Sequence, residues 1–306
     1  MNDIAFAPRP AAYDKKVALV LQGGGALGSY QAGVCATLDG AAYPPDWVAG
    51  VSIGAINAAI FAGNPRGERA AKLRSFWEGV TAPTAHWPIA PGAASAEMAA
   101  KAAAAAGLLF GQPGFFAPRG IAEWFGAPKP LSYYDTAALK TTLERLVDFD
   151  RINAPGGVRL SVGAVNVRTA RMHYFDSAEI AIRPEHIMAS GALPPGFPAV
   201  EIDGEHYWDG GLVSNTPLSH VIDYFPRRSR LIFQVDVFQG YGAVPRDLEG
   251  VAEREKDIRF ASRTRTTTDI FHDKHDVRHA INDLMETLPP ECRDTPQAKR
   301  LWALGC

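Results

Sequence analysis

Ser52 stands in the pentapeptide Gly50-Val51-Ser52-Ile53-Gly54, and Asp209 stands immediately before Gly210-Gly211. A serine hydroxyl is a weak nucleophile until a neighbouring base takes its proton, and a carboxylate within hydrogen-bond reach can be that base. The chemistry open to such a pair is attack on an ester carbonyl through an acyl-serine intermediate. A third stretch, Gly23-Gly24-Gly25-Ala26-Leu27-Gly28, supplies what that chemistry needs next. Glycines let successive backbone N–H groups converge on an anion, and in acyl transfer the anion is the oxyanion formed after attack. One such donor is worth about 2.7–4 kcal/mol of barrier.

Each stretch also has a plainer reading. Ser52 could simply cap the helix that follows it, and Asp209-Gly210 is a common way to open a turn. Gly23, Gly25 and Gly28 fit the dinucleotide fingerprint, with Asp39 or Asp46 near the position of the ribose-binding acid. Neither acid is well placed, since Asp39 falls near a helix end and Asp46 precedes the second strand. No Lys-Ser or Lys-Thr follows the loop, which argues against a nucleotide-hydrolase phosphate loop. Of the eight histidines none sits in a motif that marks a triad, although the order Ser, Asp, His would permit His220 or a later one. His272, His275 and His279, with Asp273 and Asp276, have helical spacing that could bind a metal. No second ligand cluster accompanies them, and a solvated charged face is the reading preferred.

The elements that must carry these residues have the rhythm of an open α/β sheet. Lys16–Leu21 (KVALVL) reads as a buried strand, followed by a helix over about Ser29–Leu38, a strand at Trp47–Val51 and a small-residue helix at Ile53–Ala62. Ser52 thus falls on the tight turn between strand and helix, where a hydroxyl projects clear of the sheet. Asp135 is expected to cap a helix running to about Val147. Val158–Val167 and Met172–Phe175 alternate like a hairpin, and Pro184 suits the first turn of a helix ending near Ser190. Val200–Ile202 and His206–Trp208 flank Asp203-Gly204, a strong two-residue hairpin signal. Thr216-Pro217 opens another helix, Arg230–Phe238 is the last clear strand, and about Asp247–Met285 is charged and helical. Residues 81–134 change character, with an alanine run at Ala102–Ala106 and aromatics at Phe110, Phe115, Phe116, Trp124 and Phe125. The expected organisation is an N-terminal arm (1–15), a catalytic domain (16–245) with a lid-like insertion at about 81–134, and a C-terminal helical extension (246–306).

Composition sets outer bounds. The 306 residues are 47% apolar and 21% charged, enough for one large α/β domain or two small ones. A net charge of −2 gives no field that would draw the chain to nucleic acid. Cys35, Cys292 and Cys306 are too few and too odd for a disulfide framework, which points to a reducing, cytoplasmic compartment. The first residues lack the apolar core of a signal peptide, and no run of about 18 apolar residues occurs.

Taken together, the glycine loop, the elbow at Ser52 and Asp209-Gly210-Gly211 resemble the patatin-like phospholipases in order and context. Two further blocks strengthen the resemblance: Ala189-Ser190-Gly191-Ala192-Leu193-Pro194-Pro195-Gly196-Phe197-Pro198 ahead of the aspartate, and Asn215-Thr216-Pro217 just after it. The resemblance covers about residues 16–240. It implies a mostly parallel central sheet flanked by helices, related to the catalytic domain of cytosolic phospholipase A2, and a lipid acyl hydrolase with a Ser-Asp dyad. By resemblance Ser52 is the nucleophile, Asp209 the base, and the N–H groups of Gly23, Gly24, Gly25 and Ala26 the oxyanion hole. Gly50 and Gly54 shape the elbow; Gly28, Gly210, Gly211 and Asn215 support the site; no metal or organic cofactor is implied. The expected partner is a lipid or other acyl ester, with no nucleic acid, and the insertion could lie on a lipid surface or pack in the core. Leu27 stands where many members carry Arg or Lys, which shifts the expectation from phosphate-bearing substrates towards neutral esters or small acyl groups. The competing classes are a dinucleotide-binding protein and a catalytically silent lipid-binding protein. Acyl-chain length, head group and oligomeric state are not encoded in these motifs.

Overall fold

The computed structural model describes residues 6–82, 107, 109–226 and 228–305. They fall into two compact units, one of residues up to Pro217 together with Arg230–Val237, the other of Leu218–Ser229 and the chain from Phe238 onwards.

The first unit holds a seven-stranded sheet: β1 (Lys16–Leu21), β2 (Trp47–Val51), β3 (Arg159–Asn166), β4 (Met172–Asp176), β5 (Val200–Ile202), β6 (Glu205–Asp209) and β7 (Arg230–Val235). The hydrogen-bonded path is β5-β6-β3-β2-β1-β7, with β4 also on β3. β1, β2, β3 and β7 run parallel, and β4, β5 and β6 pair antiparallel. This unit includes the helices α1 (Gly28–Gly40), α2 (Ile53–Ala62), α3 (Arg69–Thr81), α4 (Ala137–Leu146) and α5 (Pro184–Ser190). β1 lies between β2 and β7, so Val17 to Leu21 are fully buried, as an unbroken apolar run in a parallel sheet requires. α2 is buried on every side, which its sequence IGAINAAIFA permits because small residues alternate with Ile56, Ile60 and Phe61. Each of those three large side chains contributes roughly 1.5–3 kcal/mol by leaving water.

The register of β3 explains how residues 157 positions apart are brought together. β4 occupies one edge of β3 opposite Ser161 to Val165. The other edge is shared: β2 lies opposite Arg159 to Gly163, and β6 opposite Ala164 to Asn166. Val51 pairs with Gly163 and Asp209 pairs with Ala164, so β2 and β6 end on adjacent rungs of one edge. The β5–β6 hairpin sets that register. Its turn residues Asp203 and Gly204 have φ of 51° and 81°, the left-handed pair a two-residue hairpin demands.

Two expected boundaries move slightly. The strand expected to reach Phe238 ends at Val235, and α4 takes Thr136 rather than Asp135 as its cap. Asp135 Oδ1 still accepts the Ala137 N–H at 2.7 Å, so it serves the helix start from one residue upstream. Of the expected insertion, residues 83–106 and 108 lie outside the described residues. Its described end is docked by aromatic contacts, with Phe115 against Phe76 and Phe197, and Phe116 against Tyr134 and Phe197. The Tyr133 and Tyr134 N–H groups also donate to the Pro195 and Gly196 carbonyls, at 3.1 and 2.9 Å.

A buried ion pair braces the back of α1. Arg69 Nη1 lies 2.8 Å from Asp39 Oδ1, both side chains are almost inaccessible, and the guanidinium lies over the Phe61 ring. Asp39 Oδ2 takes the Gly67 N–H at 3.0 Å. Arg69→Ala would leave that carboxylate buried without its cation and is expected to cost about 3–5 kcal/mol, read as a lowered urea midpoint. A change within about 0.5 kcal/mol would show that water reaches Asp39.

The second unit is built on α6 (Leu218–Asp223), the 40-residue α7 (Leu248–Thr287) and α8 (Pro296–Gly305). Asp247 caps α7 by accepting the Gly250 N–H at 2.8 Å. Residues 218–229 group with these helices. His275 and His279 stand on α7 with their Nε2 atoms 3.0 Å apart. Among the described residues no three His, Cys, Asp or Glu side chains are arranged to hold a metal, and no helix is long and apolar enough to cross a membrane.

Candidate active site

Ser52 is the single residue between β2 and α2, and its backbone is at φ 57° and ψ −128°. A side-chain-bearing residue held there stores about 1–3 kcal/mol of strain. The turn is tight enough to exclude side chains at both flanking glycines. A Cβ on Gly50 would lie 2.3 Å from the Gly54 carbonyl oxygen, and one on Gly54 would lie 2.4 Å from that of Leu21. Ser52 makes no side-chain cap to α2, which removes the helix-cap reading of this residue. Its side chain lies near enough to the Asp209 carboxyl to lower that group's proton affinity.

Asp209 ends β6 and is almost wholly buried, at 2% exposure. Oδ1 accepts the Gly211 N–H at 2.7 Å, so the residue also starts a turn, as the plainer reading held. Burial pushes its carboxyl up from an ordinary 3.8 to about 6, against the opposing pull of Ser52 and the Gly211 N–H. A carboxyl titrating there is ionised at neutral pH yet basic enough to share a proton. Gly210 lies against β3, where a Cβ would meet the Gly163 carbonyl oxygen at 2.6 Å.

The glycine loop passes beside Ser52: a Cβ on Gly23 would lie 3.1 Å from that of Ser52. Among the described residues the N–H groups of Gly24, Gly25 and Ala26 donate to no protein acceptor. Gly23 is a correction to the expected donor set, since its N–H already donates to the Asn215 carbonyl at 3.0 Å. Asn215 Nδ2 returns a bond of 2.7 Å to the Gly23 carbonyl, tying the loop to the segment after Asp209. Gly28 opens α1 and packs against Ile53 and Trp77, which seats the far end of the loop on α2.

The dinucleotide reading loses its acids. Asp39 is spent on Arg69, and Asp46 Oδ2 accepts the Val17 N–H at 2.9 Å while pairing with Arg9. No histidine is among the groups that shift the Asp209 carboxyl, which are its burial, Ser52 and the Gly211 N–H.

The family model for patatin-like phospholipase matches residues 19–222, a span that contains the loop, the elbow and Asp209. The chain belongs to the patatin-like phospholipase family. A second model, described as patatin phospholipase, matches residues 258–306, so the C-terminal helices also fall within a patatin-related pattern. No curated protein matches the chain. Among solved structures, VipD from Legionella pneumophila is similar at 16% identity and a TM-score of 0.38, covering 91% of this chain. The chain spans 57% of the VipD chain. Family membership supports lipid acyl hydrolysis in general terms.

This patatin-like site rests on a polar frame that motif reading missed. Gln31 Nε2 donates to the Gln22 carbonyl at 2.6 Å, Asn57 Nδ2 to the Gly28 carbonyl at 2.9 Å, and Trp77 Nε1 to Asn57 Oδ1 at 3.1 Å. Both ends of the glycine loop are therefore pinned from behind. The signal was present in α2, where Asn57 is the one polar side chain in IGAINAAIFA and so must find partners in the core. Ser190 lies inside the Ala189–Pro198 block, and the structure puts its hydroxyl 2.9 Å from the Ser52 nitrogen.

Proposed function

We propose that the chain hydrolyses carboxylic esters of lipids through an acyl-Ser52 intermediate, with Asp209 as the general base. The observation that carries this reading is the placing of Ser52, held at positive φ, beside a buried carboxyl whose proton affinity burial raises towards neutrality and Ser52 lowers. Ser52 Oγ attacks the ester carbonyl carbon as its proton passes to Asp209. The oxygen that becomes negative is met by the free N–H groups of Gly24, Gly25 and Ala26. Collapse of the intermediate expels the alcohol, which takes the proton from Asp209. Water then repeats the sequence, with Asp209 receiving its proton, Ser52 leaving as the free hydroxyl and the acyl group departing as the acid. Leu27 is exposed beside this loop, and an apolar side chain there favours an uncharged ester group over a phosphate.

A fluorophosphonate probe is expected to label Ser52, located by peptide mapping, in a protein that turns over para-nitrophenyl esters of graded chain length. Phospholipids and lysophospholipids in the same panel test the preference ascribed to Leu27. Labelling confined to another residue would overturn the assignment. Lipid binding in flotation without hydrolysis of any ester would favour the silent lipid-binding reading.

A lipid-surface contact is supported by Ile121, Phe125 and Leu131, at 78%, 87% and 92% exposure the most exposed large apolar residues of the described insertion. Water is a poor place for such side chains, and an acyl layer is a better one. Replacing both Phe125 and Leu131 by Asp is expected to lower turnover of vesicle-borne ester by about tenfold, equivalent to about 1.4 kcal/mol of lost partitioning, with turnover of a soluble ester unchanged. Equal loss on both substrates would assign the segment a structural role.

A further inference from the structure

Ser190, the last residue of α5, is fully buried and makes two hydrogen bonds. Its hydroxyl accepts the Ser52 N–H at 2.9 Å and donates to the Gly163 carbonyl at 2.6 Å. One belongs to the residue just past β2 and the other to β3, at the point where the ladder between those strands ends. Val51 pairs with Gly163, and one residue later the chain leaves the sheet at positive φ. A continued parallel ladder would satisfy such groups by strand pairing. The elbow forgoes that, and a buried N–H or C=O left unpaired costs about 1–3 kcal/mol. A hydroxyl can accept from one group and donate to the other at once, which no apolar side chain and no lone donor can do. Two residues further on, the Ala192 carbonyl accepts the Asp209 N–H at 3.0 Å. The end of α5 therefore grips the backbone of both members of the dyad, Ser52 through a side chain and Asp209 through the main chain.

We propose that Ser190 is a positioning residue that holds Ser52 in its strained, reactive conformation by bridging the Ser52 N–H to the Gly163 carbonyl. The proposal rests on the hydrolase reading above for its kinetic consequence and on geometry alone for its structural one. It also explains a division of labour, because the Ser52 N–H is already engaged and the oxyanion must be met by the glycine loop. With Ser190→Ala the N–H and the carbonyl lose their bridge, and the elbow relaxes by an amount small in distance and large in rate; misplacement by about 1 Å can cost on the order of 10²-fold.

The test compares the full chain with Ser190→Ala and Ser190→Thr, the second retaining a hydroxyl. On a soluble para-nitrophenyl ester Ser190→Ala is expected to lower kcat by roughly 10²-fold with KM within about threefold, and to slow fluorophosphonate labelling in parallel. Ser190→Thr should recover most of both. The pH at which activity is half-maximal should stay near 6, since the Asp209 environment is retained. Amide hydrogen exchange provides the second measurement: the Ser52 amide should exchange faster in Ser190→Ala, while the amides of Val48 to Val51 stay protected. An alanine variant with wild-type kcat and wild-type Ser52 exchange would overturn the proposal. So would a threonine variant that folds and is no better than alanine. A wild-type chain inert to esters and to the probe would remove the hydrolase reading, and faster Ser52 exchange in Ser190→Ala would then still support the bridge. Should the alanine variant fail to fold, the threonine variant alone decides, with near wild-type kcat and protection expected.

Discussion

Ser52→Ala should fold like the wild type and lose ester turnover by about 10⁴-fold or more, together with all fluorophosphonate labelling. The size follows from what is removed. Ser52 supplies the one hydroxyl among the groups that shift the Asp209 carboxyl, the other being the Gly211 N–H. The residual rate would come from bound water and the glycine loop. Folding should survive because the Ser52 backbone, not its hydroxyl, bonds to Ser190. Turnover above about a tenth of wild type in a homogeneous preparation would end the serine-hydrolase reading.

Asp209→Asn should lower turnover by roughly 10⁴-fold while raising stability at neutral pH. In the wild type the folded carboxyl titrates at about 6 and the unfolded one at an ordinary 3.8. Below the lower value both states are protonated, and the folded state keeps the full benefit. As pH rises from about 4 to about 6 the unfolded chain ionises first, so stability is progressively lost. A gap of about two units is worth about 3 kcal/mol. Asparagine cannot ionise and can still accept the Gly211 N–H, so the variant escapes that loss. The stability of the Asp209→Asn variant relative to wild type, measured by urea unfolding at about pH 4 and pH 8, should rise by up to about 3 kcal/mol across the interval. In the wild type, activity should climb with pH through about 6, because the protonated carboxyl cannot accept the serine proton. A difference between the two proteins that is flat across that interval would show that Asp209 titrates as an ordinary surface carboxylate. The combination of lower activity with higher stability is what a buried base entails, since the same desolvation that raises its proton affinity opposes its charge.

The elbow, the glycine loop and the Asp203-Gly204 hairpin were legible because each is specified by a few adjacent residues. A strand must end where Gly50 and Gly54 let the chain turn sharply about Ser52, and a two-residue turn with both residues at positive φ fixes where β6 runs. The same local logic failed for Gly23. It belongs to the glycine motif, but whether its N–H is free depends on Asn215, 192 positions away. Spacing offers Asp39 and Asp46 as poorly placed ribose acids, and the fold commits them instead to Arg69, Arg9 and the Val17 N–H.

Sequence alone therefore determined the strand-turn-helix context of Ser52, the hairpin that ends in Asp209, and the family pattern that joins them. Tertiary structure decided the rest: that β2 and β6 end on adjacent rungs of β3, that Asp209 is buried enough to titrate at about 6, and that Ser190 bridges the elbow to the sheet. The reason lies in range. Backbone turns follow from sterics among neighbours, whereas burial and hydrogen-bond partnership depend on which distant segments the packed sheet brings into contact.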